Sequence, residues 1–228
     1  MVEEESFPKS LGIIPDGNRR YARKEGLTHR KAYEKGFEKV EEVYKWVLDQ
    51  DYIEEVFFYA LSTENLKRDE REIEIIFDLF NRKAYDLYES EIMKEYDVSI
   101  EFLGREELLE PISETIKEIE ENTKERDSYK LNICIGYGGK KEIVDAARDL
   151  KLKNLEFNEK NLEENLYTSS SIDLVIRTGG YQRLSNFLIW QSSYAELFFT
   201  DQLWPEFSEQ EFEKAIEFYR SSERNFGK

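Results

Sequence analysis

One cysteine and one histidine in 228 residues exclude whole classes of chemistry. With Cys134 alone no internal disulfide can form, and a reducing, cytoplasmic setting is the expectation. With His29 alone most zinc sites lose their ligand set, and a serine or cysteine triad has a single base to draw on. Basic residues are also scarce: 33 Lys and Arg stand against 50 Asp and Glu, a formal charge of −17 at pH 7. Such a surface repels nucleic-acid phosphates and offers anionic lipid no polybasic grip. No apolar stretch follows Met1, where Val2 to Ser6 is acidic, and no run approaches the length of a membrane span. Repeats, low-complexity tracts and Pro/Gly/Ser linkers are missing too, so residues 1–228 are expected to form one domain.

What is present is a sizeable apolar inventory, 39% hydrophobic and 14% aromatic, with 15 Phe and 14 Tyr. On composition alone this reads as an aromatic-rich core rather than a lined cavity. The order of residues says more. Apolar runs at Leu11–Ile14, Val56–Leu61, Ser99–Leu103, Leu131–Ile135, Ile172–Ile176 and Glu196–Thr200 read as strands. All but the last lead into a polar or glycine-bearing turn and then a helical pattern. The helices are expected from the first turn to about Leu48, from a cap at Asp69, around 106–121, from Lys140 to Leu150, near Leu184–Gln191, and from Glu209 to Tyr219. Strands alternating with helices predict an α/β fold, a mainly parallel central sheet flanked by helices. In such sheets ligands bind at the carboxyl ends of strands.

The strand-to-helix turns are therefore where chemistry is expected. The first holds Asp16, Gly17 and Asn18, then Arg19, Arg20, Arg23 and Lys24. A glycine turn before a helix offers N–H groups and a positive dipole end to a phosphate, and arginines add paired charge; a capped helix with a solvated basic face is the equal alternative. Ser62, Glu64, Asn65 and Arg68 follow the second strand and read, taken alone, as a capped helix start. Gly136–Gly139 lacks the third glycine of a dinucleotide fingerprint and is no Walker loop. Arg177, Arg183 and Ser185 with two glycines and no acid suit a phosphate ester. Glu196 opens the last strand, where it either sits harmlessly on an edge or shares a hard cation with Asp16. From the residues alone the site is diphosphate plus magnesium on an α/β sheet, which does not separate kinase, phosphatase and transferase.

Five segments in order narrow this. Ile13 to Ala22, Tyr59 to Arg68, Leu131 to Gly139, Asp173 to Phe187, and Tyr194 to Pro205 resemble the motifs of the cis-prenyltransferases, which include undecaprenyl and dehydrodolichyl diphosphate synthases. The resemblance runs from about Leu11 to Gly227. It implies a sheet flanked by helices, an apolar tunnel for the growing chain, a homodimer, and a Mg2+-dependent transfer of an allylic prenyl diphosphate onto isopentenyl diphosphate. It implies that Asp16 holds magnesium and assists departure of the primer's diphosphate, which Gly17, Asn18, Arg19, Arg20, Arg23, His29, Tyr33 and Arg68 help to bind. Arg177, Arg183 and Ser185 are implied to hold isopentenyl diphosphate, Glu196 to be a second metal contact, and Ser62 and Asn65 to sit between the substrates, with Asn65 catalytic. The lipid product implies transient membrane association without a spanning segment.

The chain departs from the family pattern at His29 (an arginine, here displaced to Arg30), Tyr33 (a histidine), Leu66 (a tryptophan), Tyr181 (an acid) and Asn225 (an arginine, with Arg224 one position early). These changes lie around the diphosphates and bear on primer choice, affinity and regiochemistry. Two alternatives therefore stand beside the elongating synthase: a non-head-to-tail or short-product enzyme on the same fold, and a non-catalytic partner subunit. An intact Asp16-Gly17-Asn18 turn weighs against the second, and the absence of a DDxxD pair weighs against an all-helical trans synthase. Ala60 and the helix carrying Phe77, Phe80 and Tyr88 are expected to border the tunnel.

Overall fold

Every side chain of β1 (Ser10–Ile14) is buried. A strand covered on both faces belongs in the middle of a parallel sheet, and β1 sits there. The computed structural model describes residues 7–222. Its six strands, β1, β2 (Glu55–Ser62), β3 (Val98–Leu103), β4 (Tyr129–Tyr137), β5 (Leu174–Arg177) and β6 (Glu196–Phe199), pair in the order β3-β4-β2-β1-β5-β6. All five pairings are parallel. The central β5 is buried throughout, while the edge strands β3 and β6 are only partly covered.

Period-two alternation divides the apolar residues between the faces. Val56 and Phe58 enter the larger core with residues of α2 (His29–Leu48), α3 (Glu70–Glu89) and α8 (Glu209–Ser221). Phe57 and Tyr59 point the other way, into a smaller cluster with Tyr137, Val175 and Phe187. The free N–H groups of edge strand β3 are capped from α5 (Ser113–Thr123): Ile100 donates to Thr123 Oγ1 at 3.1 Å and Phe102 to Glu120 Oε1 at 3.0 Å.

Three helices differ from the sequence expectation. The first amphipathic stretch breaks into α1 (Asn18–Glu25) and α2, because Gly26 takes a left-handed φ of 65° and closes α1. The stretch from Glu106 begins as two short 3₁₀ turns around Pro111, and the α-helix starts only at Ser113. No helix forms near 184–191: Ser185, Asn186 and Leu188 have φ of 51°, 67° and 38°, which interrupts any α-helical run. The segment serves a different purpose. Asn186 Oδ1 accepts from Lys140 N at 2.8 Å and its carbonyl from Gly139 N at 2.8 Å, capping α6 (Gly139–Leu152) from outside. The short helices α4 (Glu91–Glu95) and α7 (Glu159–Glu163) carry none of the site residues expected from the sequence. Among the described residues no helix is long and apolar enough to cross a membrane.

Candidate active site

The neighbours β2, β1 and β5 deliver their carboxyl ends to one place, where a cavity of about 760 Å³ opens. Asp16 stands at its mouth. Its backbone is pinned: the Asp16 carbonyl accepts from Thr178 Oγ1 at 2.7 Å and from Trp204 N at 3.0 Å. Its carboxylate is shared by two arginines, with Oδ1 3.0 Å from Arg20 Nη2 and Oδ2 2.9 Å from Arg177 Nη2. Arg20 can turn toward Asp16 because Gly179 lacks a side chain; a Cβ there would lie 2.4 Å from Arg20 Nη2 and 2.9 Å from the Asp16 carbonyl.

The first turn leads into α1 through Gly17, whose φ of 125° suits only glycine. No side chain caps α1 and no acid lies in its first turn, so its leading N–H groups and positive dipole end are left for a ligand. Arg19, Arg20 and Arg23 rise from this helix into the cavity lining. Asn18 also lines the cavity; its Oδ1 is buried with no partner, and a side chain at Gly36 would collide with it at 2.4 Å.

From β2, Ser62 Oγ accepts from Asn65 N at 3.1 Å and shapes the turn. Arg68 is then held three ways: it donates to Asn65 Oδ1 at 2.8 Å, to Glu72 Oε1 at 3.2 Å and to Tyr33 Oη at 3.4 Å. Tyr33 itself donates to Glu72 at 2.5 Å. Burial and the Glu72 carboxylate push the Tyr33 phenol well up, so it remains a donor throughout the neutral range. Glu64 hangs at the rim; burial alone would raise its carboxyl, but its own N–H, Ser62, Asn186 and Thr63 outweigh this and hold it below the ordinary value.

From β5, Arg177 is 4% exposed, an unusual place for a guanidinium. It donates to Ser185 Oγ at 2.6 Å, to the Arg183 carbonyl and to Asp16, and its Nε has no partner among the described residues. The loop that follows is braced from beneath by Glu142, which accepts from Tyr137 Oη, Tyr167 N and Gln191 Nε2; burial pushes its carboxyl up.

The structure thus brings Asp16, Gly17, Asn18, Arg19, Arg20, Arg23, Tyr33, Ser62, Asn65, Arg68, Arg177, Arg183 and Ser185 around one space. His29 is left outside the lining; it begins α2 and its ring lies 6.4 Å from that of Tyr33. Glu196 is also left outside the lining. It starts β6 in register with Leu174, whereas Arg177 ends β5 opposite Phe199. Three residues of strand, about 10 Å, separate those levels. Within one chain this register sets Glu196 at the amino end of β6, away from the carboxyl ends of β1 and β5 that carry Asp16 and Arg177.

The sequence gives no expectation for Asn186, whose signal is an αL-tolerant side chain beside Ser185; Tyr181, expected near the diphosphates as a departure from the family pattern, has its ring among the arginines of the cavity. Phe77, Phe80 and Tyr88, expected along a tunnel, are packed in the large core and do not line the cavity; Ala60 does. Asn225 and Arg224 lie outside the described residues.

No group of three or more His, Cys, Asp or Glu suited to hold a metal occurs among the described residues. Asp16 offers one carboxylate amid cations. That donor set fits magnesium held by one protein carboxylate and completed by ligand phosphates, the usual habit of this ion.

Comparison with known proteins agrees with this geometry. The model of the undecaprenyl diphosphate synthase family matches residues 14–227. The tritrans,polycis-undecaprenyl-diphosphate synthase (geranylgeranyl-diphosphate specific) of Thermoplasma volcanium is 43% identical over 237 residues, spanning 100% of this chain and 92% of that one. The isoprenyl transferase of Thermus thermophilus is 39% identical over 241 residues, spanning 100% and 91%. Lavandulyl diphosphate synthase from Lavandula x intermedia, solved with dimethylallyl diphosphate, superposes with a TM-score of 0.92 at 27% identity, spanning 99% of this chain and 100% of that one.

Proposed function

The chain belongs to the undecaprenyl diphosphate synthase family of prenyltransferases, and from that premise we propose that it elongates an allylic prenyl diphosphate with isopentenyl diphosphate in cis. The observation that carries the reading is Asp16 held between Arg20 and Arg177 at the open end of α1. One diphosphate rests on the N-terminus of α1 with Arg19, Arg20 and Arg23; the other is received by Arg177, Arg183 and Ser185. Asn65, Ser62, Arg68 and Tyr33 lie between. Magnesium, when bound at Asp16, neutralises charge developing on the departing diphosphate.

The residues then divide the work. Arginines fixed before the substrate arrives need little reorganisation as the carbon–oxygen bond of the primer breaks and its electrons pass to the diphosphate. Docking both substrates in one cavity sets the double bond of isopentenyl diphosphate against the electron-deficient allylic carbon. A carbon–carbon bond forms and a proton leaves. The geranylgeranyl-diphosphate specificity of the Thermoplasma volcanium relative supports geranylgeranyl diphosphate as primer.

The high structural overlap with a lavandulyl diphosphate synthase favours a second reading, irregular condensation. The 43% identity to a polycis synthase, against 27% to lavandulyl diphosphate synthase, favours regular elongation. Incubation with Mg2+, labelled isopentenyl diphosphate and primers from dimethylallyl to geranylgeranyl diphosphate separates them. A ladder of cis-extended prenols is expected; branched products would establish the second reading, and no product with any primer would reject both.

Residues 1–228 act here as one catalytic domain at work in the cytoplasm, and the chain as a homodimer. Among the described residues β6 is an edge strand, and Leu197 on it and Phe218 of α8 are 36% and 37% exposed, which supports a self-contact. Light scattering that returned the 27.3 kDa mass of a single chain would count against it. Chain growth is assigned to the space beyond Ala60, which requires α3 to yield. Ala60→Leu is expected to shorten the main product by several isoprene units; an unchanged product distribution would remove this route.

A further inference from the structure

Tyr181 occupies the position where the family pattern has an acid, and its ring touches three cations of the cavity. The guanidinium carbon of Arg183 lies 4.2 Å from the ring centroid, that of Arg20 4.8 Å and that of Arg177 5.9 Å. Guanidinium groups gathered this closely repel one another. An aromatic face attracts each of them and adds no formal charge. Tyr181 lines the cavity and is 45% exposed, so this cluster faces an incoming ligand rather than the core.

The three arginines do not depend on the ring equally. Arg20 also donates to the Gly179 carbonyl and to Asp16. Arg177 is fixed by Asp16, Ser185 and the Arg183 carbonyl. The side chain of Arg183 makes no hydrogen bond or ion pair among the described residues, and the ring of Tyr181 lies against its guanidinium. The mode of contact matters as well. A carboxylate would occupy the N–H edge of a guanidinium, the same edge that grips phosphate oxygens. A ring engages the flat face and leaves all the N–H donors available.

Resting on the reading that this cavity takes diphosphates, we infer that Tyr181 is a positioning residue for the diphosphate of isopentenyl diphosphate. Its ring holds Arg183 in the receiving orientation beside Arg177 and keeps the array assembled without competing for its donors. Losing the ring therefore loosens Arg183 most and Arg177 least.

The test uses Tyr181→Phe and Tyr181→Leu in the full chain. Calorimetric titration with inorganic diphosphate in metal-free buffer, and with isopentenyl diphosphate, is expected to show the Phe variant within twofold of wild type. The Leu variant should bind both roughly tenfold more weakly, the scale of a cation–π contact in a partly desolvated site. In steady state the Leu variant should raise KM for isopentenyl diphosphate about tenfold, well beyond its effect on KM for the primer or on kcat. A merely structural role would not produce that division. Equal binding by the Leu variant, a Phe variant as weak as Leu, or a loss confined to kcat would each overturn the inference. Wild-type protein that binds no inorganic diphosphate would overturn the reading of the cavity itself, and the inference with it.

Discussion

Asp16→Ala is expected to lower kcat by roughly three orders of magnitude while the protein still folds. The side chain makes no contribution to starting α1, whose cap is Gly17, and the backbone of Asp16 is held by Thr178 and Trp204, which the substitution leaves in place. What the variant loses is the counter-charge for Arg20 and Arg177. Stranding a buried arginine can cost ~3–5 kcal/mol, but Asp16 is 29% exposed at the mouth of an open cavity, so a loss of about 1–2 kcal/mol is the better expectation. The kinetic signature is more diagnostic than the melting temperature. With no carboxylate competing for the two guanidinium groups, diphosphate should bind at least as tightly as to wild type, while turnover collapses. Asp16→Asn, which keeps the shape and one acceptor oxygen, should recover stability and not kcat. Near wild-type turnover in either variant would remove Asp16 from the reaction.

The sheet was readable because a parallel sheet buried on both faces writes itself as short apolar runs, and all six runs became strands. The turns that follow β1, β2 and β5 were readable for a related reason. Polar and charged residues at or just beyond the end of a buried strand have only the sheet's carboxyl edge to occupy, which is how Asp16, Asn65 and Arg177 reach one cavity. Two kinds of feature stayed hidden. That Glu196 opens the last strand was legible, but the register that sets it opposite Leu174, three residues short of the level of Arg177, is decided by pairing between strands far apart in the chain. The segment around Asn186 has the apolar spacing of a helix, yet its carbonyl and amide are claimed by α6, a partner 46 residues away. Tertiary hydrogen bonds outweighed a local periodicity of a few tenths of a kcal/mol per residue.

Arg177 should show the widest separation between stability and activity. It is the most buried cation of the site, and from the end of β5 it ties together two segments: Asp16 after β1, and Ser185 and the Arg183 carbonyl in the loop after β5. Arg177→Met replaces a desolvated charge with an apolar side chain of similar length. Removing one partner of a buried pair usually costs ~3–5 kcal/mol, but here Asp16 is part-exposed and keeps Arg20, and the cost of burying the guanidinium disappears with it. The melting temperature is therefore expected to move by no more than a few degrees. The consequence for catalysis runs the other way: kcat/KM for isopentenyl diphosphate should fall about 10²–10³-fold, the scale of removing one preorganised donor to a developing anion. Arg177→Lys tests whether charge alone suffices. Lysine keeps the cation but cannot span Asp16, Ser185 and the Arg183 carbonyl with one planar fork, so it should recover less than a tenth of the lost activity. Should the Met variant instead unfold readily while its folded fraction turns over normally, Arg177 would be a brace for the Ser185 loop and the diphosphate would have to be held by Arg183 and the end of α1 alone.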